Sequence, residues 1–487
     1  MDRTDFLRLG GIAAAVANMP AVRAQAPSTT LDDTPADYTL RIGAGLVELA
    51  PDHIVSTTTY NGQFPGPLLR LREGQRVVVD VHNDTDTPEQ LHWHGQTLPA
   101  AIDGAVEEHT PHIPPRGMRR LAVTPGPSGF RFYHTHVVAG ENLGIGQYTG
   151  LMGPVYVEPR REPGAYDSEV FLVLKEFEPS LSRGGDMAMD FLAPGRRDSS
   201  LEETGEAGMR ASRARGTAHG YEVGYRSFAI NDRMLGHGEP IRVKRGERML
   251  FHVLNGSATE LPSLALPGHQ FRVVALDGNT VPKPATVPVL WLGTAERVSA
   301  IVEMNHPEVW ILGDLADDDR KNGMGAVVEY AGSHGKPQWI ASKPSKWNYR
   351  RFTKPDAVAS PVDEVIDLLF AKQNAAANGF NLWTINEEAF SMERMAPRFR
   401  LKHGKRYRPR MSNASDDIHP IHLHRHSFEI SCIAGQPTAG LLKDVAMLGG
   451  YQTMDIDFTA DQLGLSLFHC NMQLHMDFGF MALFECA

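Results

Sequence analysis

The residues best suited to chemistry in this 487-residue chain lie near its end, in His469-Cys470-Asn471-Met472-Gln473-Leu474-His475 followed by Gly479-Phe480-Met481. A cysteine flanked by one histidine, with a second histidine five residues on, supplies a thiolate and an imidazole that a short loop can bring to one metal ion. A thiolate with two imidazoles in a trigonal arrangement suits copper, and a weak or absent axial ligand then tunes the potential. The remaining imidazole has to come from elsewhere, and His419-Pro420-Ile421-His422-Leu423-His424-Arg425-His426 offers it. Two further clusters stand nearer the start, His92-Trp93-His94-Gly95 and Tyr133-His134-Thr135-His136. A lone histidine is ordinarily a hydrogen-bonded core or surface residue. On a strand, however, residues i and i+2 share a face, so each His-x-His pair presents two imidazoles side by side. Four such clusters in one chain are far beyond chance.

In order and spacing these clusters resemble the four copper motifs of the multicopper oxidases, the laccase-like family, over essentially the whole mature chain. The resemblance implies an all-β protein of three consecutive cupredoxin-like Greek-key β-sandwich domains carrying four copper ions. By that resemblance His419, Cys470 and His475 hold a mononuclear copper that accepts single electrons from a donor. His92 and His422 match the ligands of a single copper in a trinuclear site, while His94, His134, His136, His424 and His469 match five of the six imidazoles of its copper pair. The sixth position is Asn471, which would share a copper with His94 and His134; an amide oxygen is a poorer copper ligand than a neutral imidazole. The family's axial position is Phe480, with Met481 one step beyond. Oxygen reduction consumes protons, and Asp103 sits where the family places a carboxylate for them; Asp477 is a weaker second candidate. His426, on the same expected strand face as His424, reads as a supporting group behind the ligands.

The elements that must position these residues show themselves as an internal repeat. Asn61 to Asn83, Asn231 to Asn255 and Asn386 to Asn413 each run from an asparagine through alternating apolar residues, a glycine and an arginine to a second asparagine. Alternation broken by Gly and Pro is the pattern of half-buried strands joined by turns. Three copies predict three domains, 35–160, 165–335 and 360–487, linked near Glu158–Asp167 and Gly332–Asp363. Against the copper motifs the middle copy places Gly313-Asp314-Leu315, so the middle domain holds no copper ligand and shapes a wall of the donor site. The segment Ala193–Gly220, rich in Arg, Glu, Gly and Ser, reads as a solvated loop.

Composition excludes other classes. A formal charge of −10 argues against nucleic acid. Residues 1–26 read as an export signal, with Arg3 and Arg8, an apolar run Leu9–Val16 and Ala24-Gln25-Ala26 as cleavage site; the run is too short for a lasting membrane anchor, and the periplasm is the expected location. Cys432 and Cys486, beside Cys470, read as two buried free thiols. The 19 methionines are scattered, with pairs at Met187/Met189 and Met392/Met395, so no methionine-rich insertion feeds the copper. Glu107, Glu108, His109 and His112 read as a solvated loop. The expectation is an oxidase that takes electrons from phenolic or related aromatic donors and passes four to dioxygen. The alternatives are an oxidase of cuprous, ferrous or manganous ions and a copper-binding tolerance protein in which Asn471 impairs oxygen reduction. A two-domain copper nitrite reductase does not fit three repeats.

Overall fold

The computed structural model describes residues 34–160, 164–182, 191–214, 216, 219–343, 345–354 and 358–487. The segment expected to direct export and the Met187/Met189 pair lie outside the described residues. Strands dominate, and they arise from the alternation in the sequence. Tyr38–Ala50 buries every second residue along most of its length, whereas Val77–Asn83, β-branched on both faces, is buried almost throughout.

Three pairs of sheets follow one another along the chain, and one sheet of each pair repeats the same order. In the first, Leu69–Arg72 runs parallel to Met152–Glu158, which pairs antiparallel with Gly129–His134 and then His92–His94. In the last, Arg398–Leu401 runs parallel to Met481–Cys486, followed by Gly464–Cys470, His419–Leu423 and Val445–Leu448. The middle copy has Ile241–Val243, Gly325–Tyr330, Val309–Gly313, Ser263–Ala265 and Val289–Trp291 in that order. These are three cupredoxin-like β-sandwiches. Gly313 thus falls at the strand position that His134 and His469 occupy in the other sandwiches, and the adjoining Asp314 is spent on structure: its carboxylate accepts the Ser263 N–H at 2.9 Å and hydroxyl at 2.8 Å.

The repeated asparagines have a common physical cause. Asn61, Asn231 and Asn386 all take a left-handed backbone (φ 55°, 58° and 52°), a conformation that asparagine tolerates better than most residues. Each side chain brackets the first strand of its sandwich, accepting the N–H of Arg41, Val173 or Leu369 and donating to Thr39, Phe171 or Asp367. Asn83, Asn255 and Asn413 close the strand that follows. Their amides donate to the carbonyls of Thr87 and Ile113, of Glu260 and Leu292, and of Asp417 and Gly449. The last of these fixes the turn that leads into His419.

Ala193–Gly220 is not a solvated loop. Residues Ser199–Ala214 form a helix, begun by Asp198, whose carboxylate accepts the Ser200 N–H at 2.9 Å as an N-cap does. The sequence hid it because close backbone approach, not an apolar stripe, holds it down. A Cβ at Gly205 would stand 2.4 Å from the Ala414 carbonyl oxygen and 2.8 Å from the Tyr451 ring. Although alanine is the better helix former, Gly205→Ala is therefore expected to destabilise the protein by about 1–3 kcal/mol, measurable as a lowered urea midpoint. The second linker is also packed, burying Trp347, Tyr349 and Phe352. Among the described residues no helix is long and apolar enough to cross a membrane.

Candidate metal centre

Two clusters form. In the first, three ligand-type atoms converge: His419 Nδ1 and His475 Nδ1 lie 3.1 Å apart, and Cys470 Sγ lies 3.3 Å from the latter and 3.6 Å from the former. Such separations are what three atoms, each about 2 Å from one ion, present to one another. His419 comes from the strand His419–Leu423 and Cys470 ends Gly464–Cys470, while His475 rides on the short helix Gln473–Asp477 that the Cys–His spacing creates. Trp383 lies against His475 at 4.1 Å between ring centroids, and its indole N–H donates to Asp417 at 3.3 Å. Phe480 packs edge-on against His419, ring centroids 4.6 Å apart. Met481 packs into a different group of side chains, with Leu465, Leu467 and Met476.

The second cluster gathers His92, His94, His134, His136, His422, His424 and His469, all buried, within ring contact of one another. Its logic lies in the outward nitrogens. His92 Nδ1 donates to the Asp103 carbonyl at 2.9 Å, His134 Nδ1 to Thr135 O at 2.7 Å, His422 Nδ1 to Asp444 O at 2.7 Å and His469 Nδ1 to Cys470 O at 2.9 Å. His424 Nδ1 donates to Asp103 Oδ2 at 2.9 Å. A proton fixed on Nδ1 leaves the Nε2 lone pair facing inward. Accordingly His424 Nε2 and His469 Nε2 meet at 3.0 Å, and the Nε2 atoms of His92 and His422 are buried with no protein partner. Burial holds the imidazoles of His94, His134, His136, His419, His422 and His424 well below their ordinary range, and pulls His469 to about 3 and His475 to about 4. Neutral, dry, inward-facing lone pairs fit metal ions. Burial likewise pushes the Cys470 thiol up, so its thiolate requires a cation beside it.

Asn471 is buried, its amide oxygen and nitrogen both without a partner, although its main-chain N–H reaches Pro420 O at 2.7 Å. Family models described as multicopper oxidase match residues 45–162, 203–331 and 359–487. The chain belongs to the multicopper oxidase family. It is 29% identical to the multicopper oxidase MmcO of Mycobacterium tuberculosis over 430 residues, 87% of this chain and 81% of that protein. To copper resistance protein A of Pseudomonas syringae pv. tomato it is 30% identical over 261 residues, 50% of this chain and 42% of that protein. In fold it is similar to Fet3p, a multicopper oxidase that functions in iron import (TM-score 0.74, 18% identity, 92% and 90% of the two chains). The laccase of Botrytis aclada gives a TM-score of 0.71 at 19% identity, over 93% and 89%.

Several features of this multicopper oxidase depart from what the motifs alone suggest. His426 does not continue the strand face of His424, because Arg425 between them has φ 65° and turns the chain; its Nδ1 donates to the His424 carbonyl at 3.0 Å. Glu107 and Glu108 are not solvated but 1% and 2% exposed, while His109 and His112 do face solvent. Glu108 Oε1 accepts the Leu467 N–H at 2.6 Å and lies 3.4 Å from His424 Nδ1. Asp103 stands behind the imidazoles, against His92 and His424. Asp477 accepts the N–H groups of Ala139 and Gly140 at 2.9 and 2.8 Å, tying the His475 helix to the first sandwich. Cys432 and Cys486 are free, but Cys432 is only partly buried. Asp417 and Asp444 had no signal in their spacing; each adjoins a ligand strand and is recognisable only once that strand is placed.

The same burial sets a pH dependence for the copper-free protein. The eight imidazoles above are depressed below their unfolded value of about 6.5, so the stability they contribute is present above that pH and lost as pH falls. Burial raises Glu89, Glu107 and Asp477 to about 7 and Glu222 and Glu260 to about 8. These five contribute stability below an unfolded value near 4 that is lost as pH rises through 7 to 8. Asp314, Glu108 and Glu296 are raised as well, so below pH 6.5 imidazoles and carboxyls oppose each other, whereas above it the raised carboxyls alone still titrate, and urea unfolding is expected to show stability falling as pH rises from roughly 6.5 to 8.

Proposed function

We propose that this chain is an exported, copper-dependent oxidase that takes single electrons from phenolic or related aromatic donors beside His475 and delivers four to dioxygen at the imidazole cluster. The observation that carries this reading is Cys470, whose Sγ belongs to the three-atom site while its neighbour His469 belongs to the cluster and donates to its carbonyl at 2.9 Å. The donor side and the oxygen side are thus consecutive residues. His419, Cys470 and His475 would hold one copper; His92 and His422 a second; His94 and His134 with Asn471 a third; His136, His424 and His469 a fourth. Copper there supplies one-electron redox chemistry. The protein keeps the imidazoles neutral and oriented and excludes water by burial. Asp103 Oδ2 steadies His424, and Asp103 Oδ1, buried without a partner, is the atom available to hold a proton.

A second reading, a cuprous, ferrous or manganous donor, is favoured by carboxylates beside the His475 helix. Glu176 Oε1 accepts the Ala258 N–H at 2.5 Å, the Ala258 carbonyl accepts the Gln473 N–H at 2.9 Å, and Glu176 Oε2 is buried without a partner. Burial first, and then the nearby Glu176 carboxylate, raise Glu260 to about 8. Oxygen uptake by copper-reloaded protein of assayed copper content separates the readings. Turnover with a phenol supports the first, and turnover with metal ions alone supports the second. No turnover with either until Asn471→His is introduced makes the native chain a copper-binding protein on an oxidase frame.

A further inference from the structure

Among the described residues the middle sandwich places no imidazole in the cluster, yet its side chains reach the cluster's back. His94 is reversed relative to His92, His134, His422, His424 and His469: its Nδ1 faces His134 Nε2 at 3.4 Å, and its Nε2 lies on the far side, at an ion-pair distance of 3.3 Å from Asp444 Oδ1 but outside hydrogen-bond geometry. Asp444 also lends its carbonyl to His422 Nδ1 at 2.7 Å, and the His94 and His422 rings stack at 3.8 Å. One residue therefore stands behind two adjacent imidazoles.

Asp444 is itself held from the middle sandwich. Arg297 grips it with two parallel bonds, Nη1 to Oδ1 and Nη2 to Oδ2, both 2.6 Å, and Arg131 of the first sandwich adds Nη1 to Oδ2 at 2.9 Å. Planar two-point contact fixes a carboxylate's orientation as well as its position. Asp277 completes the bracket: its Oδ1 accepts the Arg297 N–H at 3.0 Å, its Oδ2 accepts the Val445 N–H at 3.1 Å, and the Lys443 ammonium pairs with it by charge at 2.8 Å. All of these side chains are fully buried. The chain makes room for them at Gly95, beside His94, where φ is +77° and a Cβ would stand 2.5 Å from Asp444 Oδ2 and 2.7 Å from Arg297 Nη2.

We propose that Asp444 is the positioning residue that turns His94 so that Nδ1 faces the cluster and steadies His422 beside it, and that Arg297 makes the middle sandwich part of the copper site by fixing Asp444. A carboxylate beside the outward nitrogen favours the tautomer protonated there and raises the basicity of the inward nitrogen. The buried pairs serve geometry more than stability, since desolvation offsets most of their attraction. This rests on the copper reading above.

Copper-reloaded native, Asp444→Asn and Arg297→Lys proteins, compared by chelator competition, test it, with the blue thiolate band as internal reference. Both variants are expected to keep that band and to lose roughly 10- to 100-fold in affinity at the imidazole cluster, with a changed hyperfine splitting of the single-copper spin resonance. Native cluster affinity in either variant overturns the proposal, as does equal loss of the blue band, which would mark a general packing defect. Should the variants fail to fold, a crystal structure of the copper-loaded native protein decides: ligation by His94 Nδ1 with Asp444 on Nε2 supports the assignment, and ligation through Nε2 overturns it. A native cluster that takes up no copper overturns this proposal together with the oxidase reading, whereas a loaded native cluster with unaltered variants overturns this proposal alone.

Discussion

Cys470→Ser is expected to abolish the blue absorption and reduce donor-driven oxygen uptake to background, while the seven-imidazole cluster keeps its copper. The thiolate is the one soft, anionic donor among three atoms 3.1–3.6 Å apart, and softness is what selects copper there. A serine hydroxyl does not ionise near neutral pH and leaves two neutral imidazoles in a dry site. The substitution removes one sulfur from a residue buried on both faces and changes volume little, so the fold should persist. Visible absorption with copper per chain checks the result: the band disappears and about one copper of the four proposed is lost. A variant that stays blue would move the thiolate site elsewhere, and Cys432 and Cys486 are the only other cysteines.

Asn471→His is expected to bind its third cluster copper at least about 10-fold more tightly than the native chain and to consume oxygen faster with the same donor. In the native chain both polar atoms of the Asn471 amide are buried and unpartnered. Leaving a buried polar group unsatisfied costs about 1–3 kcal/mol, a cost relieved if the amide oxygen meets a metal ion. On the proposed assignment, an imidazole in its place would add a more basic nitrogen to those of His94 and His134, whose facing nitrogens lie 3.4 Å apart. Copper retained after dialysis against graded chelator measures the gain. Asn471→Ala is the control: it should bind this copper more weakly than native, and unchanged retention would show that the amide is not a ligand at all.

The strand repeat was legible because a strand's period of two and its turn residues are local. The asparagine brackets at Asn61, Asn231 and Asn386 recur with the same bonds because each closes the same local turn. The helix Ser199–Ala214 was not legible. It lacks an apolar stripe, and what seats it is Gly205 against Ala414, more than two hundred residues away. Glu107 and Glu108 misled for a related reason, since a run of charged residues looks solvated until Leu467 is seen to supply a main-chain donor to one of them.

The four motifs were legible in the sequence by itself, because donors two residues apart, or in His-Cys with a following histidine, stay close through covalent spacing, while their assignment to copper ions rested on the family resemblance. Only the tertiary structure decided which nitrogen of most rings turns inward, that the Phe480 ring packs against His419, and that Asp444 stands behind His94 in the grip of Arg297. Those choices depend on acceptors contributed by strands distant in the chain, and no local period or spacing encodes which carbonyl or carboxylate will lie behind a given imidazole.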